Sequence, residues 1–241
     1  MSDAKSFYIF DFDDNMIHTG SMTYLYHQTS GEEIGLTSSD FIKNRALVGN
    51  SGPYKDYRID PSEGRSFKRF SDDSTKKHFP FFEDLKQAVL TPGWQGPSWS
   101  RFVKAVTRGR TMAIITARGH HPDRIREGID WLADEGLLPS RPDIQQIYTV
   151  TSPETKALIR WTGEDLIAAM KKQALHHFIE AVYEEFGHHP NHRFGFSDDD
   201  PTNIVSTRQK FLDLKQRNPH HSFFLYEARP DQVIEDEVIL A

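Results

Sequence analysis

Short unbroken apolar runs recur five times in this chain: Phe7-Tyr8-Ile9-Phe10, Met112-Ala113-Ile114-Ile115, Ile147-Tyr148-Thr149-Val150, Phe194-Gly195-Phe196 and Phe223-Phe224-Leu225-Tyr226. Runs of this length without polar alternation fit strands buried on both faces of a parallel sheet. Between them lie helical patterns, with apolar residues mostly three and four apart. They are Trp99, Phe102, Val103 and Val106; Ile125, Ile129 and Leu132; and Leu175, Phe178, Ile179, Val182 and Phe186. Pro122 suits a helix start and Gly187 a helix stop. Strands alternating with helices predict right-handed crossovers and an α/β fold, with a mostly parallel five-stranded sheet and helices on both faces.

Two of these runs end at once in acid. Asp11-Phe12-Asp13-Asp14-Asn15 follows the first, and Ser197-Asp198-Asp199-Asp200 follows the fourth. Open α/β sheets bind ligands at strand ends, and carboxylates clustered there repel one another unless a cation lies between them. Oxygen-only donors point to Mg2+. The second run ends in the hydroxyl of Thr116, followed by Ala117-Arg118-Gly119, and Lys171-Lys172 opens a later amphipathic helix.

The stretch from about Thr19 to Gln95 breaks the rhythm. It is rich in Gly, Ser, Asp and aromatic residues without a sustained helical period, and it reads as an insertion. Met22-Thr23-Tyr24-Leu25-Tyr26, a turn at Ser30-Gly31 and a returning Ile34-Gly35-Leu36 predict a β-hairpin. Beyond it Arg45, Lys55, Arg58, Arg65, Lys68 and Arg69 mix with Asp56, Asp60, Glu63, Asp72 and Asp73, a pattern that reads first as a solvated mixed-charge surface and second as cations that recognise a substrate. The chain has 241 residues, 37 % of them hydrophobic, enough for a real core. A net charge of −6 argues against a protein that grips nucleic acid or anionic lipid, while a small anionic substrate beside a metal stays open. With no cysteine there is no disulfide or thiolate chemistry. No apolar run is long enough to span a membrane and no leader pattern precedes the first strand, so the expected location is cytoplasmic.

Strand-Asp-x-Asp, strand-Thr, Lys and strand-acidic, in that order, resembles the haloacid dehalogenase (HAD)-like superfamily of hydrolases. The closer match, over Ile114 to Gly119 and Phe196 to Ile204, is to a little-characterised bacterial branch that also carries Asp-Asp-Asn in its first motif. The resemblance covers Ser6 to His18 and most of Pro97 to Tyr226. It implies a Rossmann-like catalytic core over 1–18 and 97–241, with a hairpin flap and cap-like insertion over 19–96. It further implies a Mg2+-dependent phosphoric monoester hydrolase acting on a small phosphorylated substrate. Asp11 would be the nucleophile and Asp13 the acid and base, with Thr116, Ala117, Arg118 and Lys171 around the phosphoryl group. Lys172, narrowly ahead of Lys171, would hold the charges together. Asp11, Asp13, Asp198 and Asp199 would hold the metal, leaving Asp200 as solvated or a helix-terminal charge. An aspartate at position 13 is the phosphatase-like choice within the superfamily.

Two departures stand out. Asn15 occupies a place where Thr or Val is usual, which implies a loosened or re-routed turn, and the fourth motif lacks the common Gly-Asp. Together they motivate an alternative: a catalytically silent metal- or ligand-binding module on the same fold. Histidine pairs at His120-His121, His176-His177, His188-His189 and His220-His221 raise zinc, but none has the four-residue helical spacing of a two-histidine ligand set. His120 and His121, just beyond Thr116, read first as surface-loop residues and second as lining for a substrate entrance.

Overall fold

The computed structural model describes residues 3–62, 65–72, 79–164 and 166–240. Its main sheet contains β1 (Ser6–Phe10), β5 (Met112–Thr116), β6 (Ile144–Thr149), β7 (Arg193–Asp198), β8 (Ser222–Arg229) and β9 (Gln232–Glu237), in the order β6-β5-β1-β7-β8-β9. The five expected strands are all present and run parallel to one another. The sheet nevertheless has six strands, not five, because β9 folds back antiparallel to β8. Its sequence, Gln-Val-Ile-Glu-Asp-Glu, is mostly exposed and charged, so it carries no apolar run; such composition suits a protected edge.

Residues alternate across β1 and seed two cores. Phe7 and Ile9 pack on one face, against Met170, Leu175, Phe178 and Val182 of α6 (Ile167–Phe186) and Phe211 and Leu214 of α7 (Pro201–Arg217). Phe10 faces the other way, joining Phe102 of α3 (Trp99–Thr107) and Ile125 and Ile129 of α4 (Pro122–Asp134). Both faces of the sheet are therefore covered by helices, as an all-apolar parallel strand requires. Pro122 is the first residue of α4, and Gly187, at φ 75°, ends α6.

The hairpin forms as expected. β2 (Met22–His27) runs antiparallel to β3 (Glu33–Thr37), with Tyr24 opposite Gly35, and the two-residue β4 (Tyr57–Arg58) adds a third strand. α1 (Ser38–Asn44) follows directly, capped by the Thr37 side chain. Of the charged residues beyond, Asp60 pairs with Arg58 and Arg65, Lys68 with Glu33, and Arg69 with Asp84, while Glu63 and Asp73 lie outside the described residues.

One part of the expected insertion belongs to the main core. α2 (Pro80–Val89) buries Phe81, Leu85 and Ala88 in the same cluster as Phe12 and Phe102, and the Phe81 and Phe12 rings meet edge-on at 5.3 Å. It lies so close to α4 that a Cβ on Gly128 would fall 2.6 Å from the Phe81 ring. The remaining short helix is α5 (Pro153–Leu158). Among the described residues no helix is long and apolar enough to cross a membrane.

Truncating a buried aromatic in a close-packed core costs roughly 3–5 kcal/mol. Phe81→Ala should therefore lower unfolding free energy by about that amount in chemical denaturation. A loss below about 1 kcal/mol, the size of a surface effect, would place α2 outside the core.

Candidate metal and active site

The sheet order reverses direction between β1 and β7. β5 and β6 extend the sheet on one side of β1, and the chain then crosses to build β7 and β8 on the other. The crevice beyond such a switch point is where open α/β sheets place ligands. Asp11 stands there, continuing the ladder through its backbone N–H to the Ser197 carbonyl at 2.9 Å, and Asp198 ends the adjacent β7.

Asp11, Asp198 and Asp199 converge, each offering a carboxylate oxygen within 4.8 Å of the others. Asp11 and Asp198 are buried, and Asp199 is partly so. Lys171 enters from α6, 3 % exposed, and its Nζ donates to Asp11 at 2.8 Å and Asp198 at 2.7 Å. Asp198 also accepts from the Asp200 backbone N–H and the Asn203 amide, both at 2.9 Å. Asp200 caps α7 by accepting from the Thr202 N–H, the helix-terminal role expected of it.

Three carboxylates thus face one ammonium, and the electrostatics carry the imbalance. Burial raises Asp11 to about 7, with the Asp198 and Asp13 charges adding to it and Lys171 opposing. Burial, then the charges of Asp11 and Asp198, pushes Asp199 up to about 9. Burial works against the Lys171 charge too, but Asp11 and Asp198 outweigh it and hold the ammonium above the usual lysine range. A net negative, oxygen-only cluster of this kind could hold a metal ion. Among the described residues it is the only such grouping, and it contains no histidine.

The sequence choice between the two lysines is corrected: Lys171 is in the site, and Lys172 is exposed. Successive helical residues point about 100° apart. Lys171 shares the buried stripe of Ala174, Leu175 and Phe178, whereas Lys172 turns away from it.

Arg118 is also not where the sequence put it. Expected near a phosphoryl group, it is 0 % exposed and gripped by Asp13, donating from Nε at 2.7 Å and Nη2 at 2.6 Å. Nη2 reaches the hydroxyls of Thr19 at 3.0 Å and Ser21 at 2.8 Å, and Nη1 donates to the Arg69 carbonyl at 3.3 Å. A buried guanidinium needs a carboxylate fork and further acceptors, and Asp13 with the root of the insertion supplies them. The Asp13 side chain thus lies in an ion pair, outside the carboxylate trio. Thr116, 1 % exposed, ends β5 with its hydroxyl oxygen accepting from the Arg118 N–H at 3.3 Å, while Ala117 is exposed.

Asn15 does not loosen its turn. Fully buried, it donates to the carbonyls of Asp11 at 2.9 Å and Ser197 at 3.2 Å and accepts from the Ser197 hydroxyl at 2.9 Å. Ser98 extends this stitch to Ser197 at 2.7 Å and donates its own N–H to the Asn15 carbonyl. The chain packs so tightly that a Cβ on Gly96 would lie 2.6 Å from that carbonyl oxygen. Asp14 takes the turn's left-handed conformation at φ 54°, which aspartate tolerates, and pairs with His18 at 2.7 Å. The visible signal for Asn15 was its departure from the expected pattern. Asn203 lay inside the matched stretch Phe196 to Ile204, whereas Ser98 and Asp84 had no signal.

His120 is corrected as well: it is buried against Phe81, with the Asp72 carboxylate 3.9 Å away, whereas His121 is exposed and caps α4. Comparison of the chain with models of known families, with curated proteins and with solved structures found no match.

Lys171→Met would strip two buried carboxylates of their shared cation, which typically costs roughly 3–5 kcal/mol. Lys172→Ala should stay within about 0.5 kcal/mol of wild type, as exposed substitutions do. Equal losses in chemical denaturation would refute the assignment of Lys171. Cation binding provides a second check, because Asp11 and Asp199, raised to about 7 and about 9, must lose their protons to act as ligands. Divalent-cation affinity measured by calorimetry should rise as pH climbs from 6 toward 9 and then level off. A flat profile would remove these groups from the ligand set.

Proposed function

We propose that this chain is a HAD-like, Mg2+-dependent phosphohydrolase that acts on a small phosphorylated substrate through an aspartyl-phosphate. The observation that carries the reading is Asp11: a buried carboxylate at the switch point, held by Lys171 beside two further carboxylates. Asp11, Asp198 and Asp199 would hold the metal, joined by the Asp13 backbone carbonyl that the resemblance implies as a further ligand. Bound there, Mg2+ would offset the charge that otherwise keeps a phosphate dianion from a carboxylate.

The residues then divide the work. An Asp11 oxygen attacks phosphorus, the bond from phosphorus to the leaving oxygen breaks, and that oxygen takes a proton from Asp13. Asp13 next draws a proton from water, whose oxygen attacks the phosphoaspartate, releasing inorganic phosphate and restoring Asp11. Lys171 keeps the Asp11 carboxylate oriented while negative charge gathers around it. Thr116, its oxygen already fixed by the Arg118 N–H, can turn its hydroxyl hydrogen toward a phosphoryl oxygen.

A second reading has its own observation. Both Asp13 oxygens are occupied by Arg118, an arrangement that suits a silent metal- or ligand-binding module as readily as an acid and base. Asn15 no longer argues for that module, since it braces the site.

Asp11→Asn keeps the volume but removes the anionic nucleophile, so phosphate release across a panel of sugar phosphates, nucleotides and phospholipid head groups with Mg2+ should vanish. Asp13→Asn should lower turnover by roughly 10^2- to 10^4-fold, least for substrates whose leaving group needs no proton. Full activity in Asp11→Asn would end the aspartyl-phosphate mechanism. A wild type that binds Mg2+ yet releases no phosphate from any substrate would favour the silent module.

A further inference from the structure

A cavity of about 460 Å3 opens beside Asp199, with α1 on one side and the turn between β8 and β9 on the other. Its size falls within the range of small-molecule sites. Arg45, just past α1, anchors that wall to the start of α7, reaching Asp200 at 3.3 Å and the Thr202 hydroxyl at 3.2 Å.

Among the charges lining the cavity two pairs cancel locally, and two groups, Asp199 and Lys43, do not. His18 pairs with Asp14 at 2.7 Å and Arg229 with Glu227 at 2.9 Å, while Asp199 belongs to the carboxylate trio. Lys43, on the last turn of α1, lines the same space and has no carboxylate partner among the described residues. Ile42, Pro97 and Pro201 make the neighbouring wall apolar. A compact ligand with its phosphoryl group at Asp11 would thus meet apolar surface and then a single uncompensated cation.

We propose that this cavity receives the leaving-group half of the substrate, and that Lys43 selects substrates carrying a second acidic group, a carboxylate or a further phosphate. The inference rests on the phosphohydrolase reading and names its substrate class.

Non-hydrolysable probes separate the two ideas. Calorimetry with Mg2+ would compare ω-phosphonocarboxylic acids of two to four carbons with alkylphosphonates of the same length. In wild type at least one acid should bind about fivefold more tightly than its alkyl counterpart, the scale of an exposed ion pair, and the preference should fade with added salt. Lys43→Glu should abolish or invert the preference while leaving alkylphosphonate affinity within about twofold, since only the second charge loses its partner. Equal binding of acid and alkyl probes, no binding of either class, or a preference that survives in Lys43→Glu would each overturn the proposal. A Lys43-dependent preference together with undiminished phosphate release in Asp11→Asn would sink the parent mechanism and leave the cavity's selectivity standing.

Discussion

The ammonium of Lys171, lodged between Asp11 and Asp198, is the interaction around which the rest of the site is arranged. Its two partners come from neighbouring strands on either side of the point where the sheet order reverses, and the lysine comes from a helix laid across one face. A buried ion pair adds little net stability, because desolvating its members consumes most of the attraction between them. What it fixes is position. Removing the lysine leaves two carboxylates in a place that cannot solvate them, so strand register, strand order and helix rotation must all be right together. The third carboxylate, Asp199, has no such partner, and burial drives it toward its protonated form. With all three carboxylates ionised, the single ammonium leaves the site two positive charges short.

Neutral polar groups brace this charged centre. Asn15 ties the end of β1 to β7 through two carbonyls, and Ser98 and Ser197 close the loop, all of them essentially without solvent contact. Buried amide and hydroxyl groups cost free energy unless every donor and acceptor is met, so this network admits few alternative arrangements. Gly96 is bound to the same logic, since any side chain there would strike the Asn15 backbone.

Much of the fold was legible because buried parallel strands declare themselves as unbroken apolar runs, and three of the five ended in the carboxylates or hydroxyl that the structure places at strand ends. The failures have physical reasons. β9 is an exposed, acidic edge strand with no apolar signature. α7 buries Asn203 and Thr207 beside Ile204 and Phe211, so its inward stripe is partly polar and its helical period is muted. α2 keeps a helical spacing at Phe81, Leu85 and Ala88 but sits inside a stretch otherwise rich in Gly, Ser and Asp, and was grouped with it. The lysine was decidable in principle: Lys171 lies three, four and seven residues before Ala174, Leu175 and Phe178, which puts it on the buried stripe. Arg118 was not decidable, because its partners Asp13, Thr19, Ser21 and Arg69 lie at unrelated places in the sequence.

That arginine also bears on how Asp13 could work as an acid and base while both its oxygens are engaged. A guanidinium stranded in a dry interior would forbid the exchange, since releasing Asp13 would orphan its donors as well as its charge. Arg118 is not stranded in that way. Thr19, Ser21 and the Arg69 carbonyl remain as oxygen partners when Asp13 turns, and the faces of Phe70 and Phe81 lie about 5 Å from the guanidinium, 5.0 and 5.1 Å to their ring centres. All five of these groups, Thr19, Ser21, Arg69, Phe70 and Phe81, fall within the 19–96 stretch, Phe81 on its core-packed helix α2. The grip on Asp13 is thus set by how the insertion seats on the core. Movement of that segment over a bound ligand would shift the partners of Arg118 before anything touched Asp13 itself.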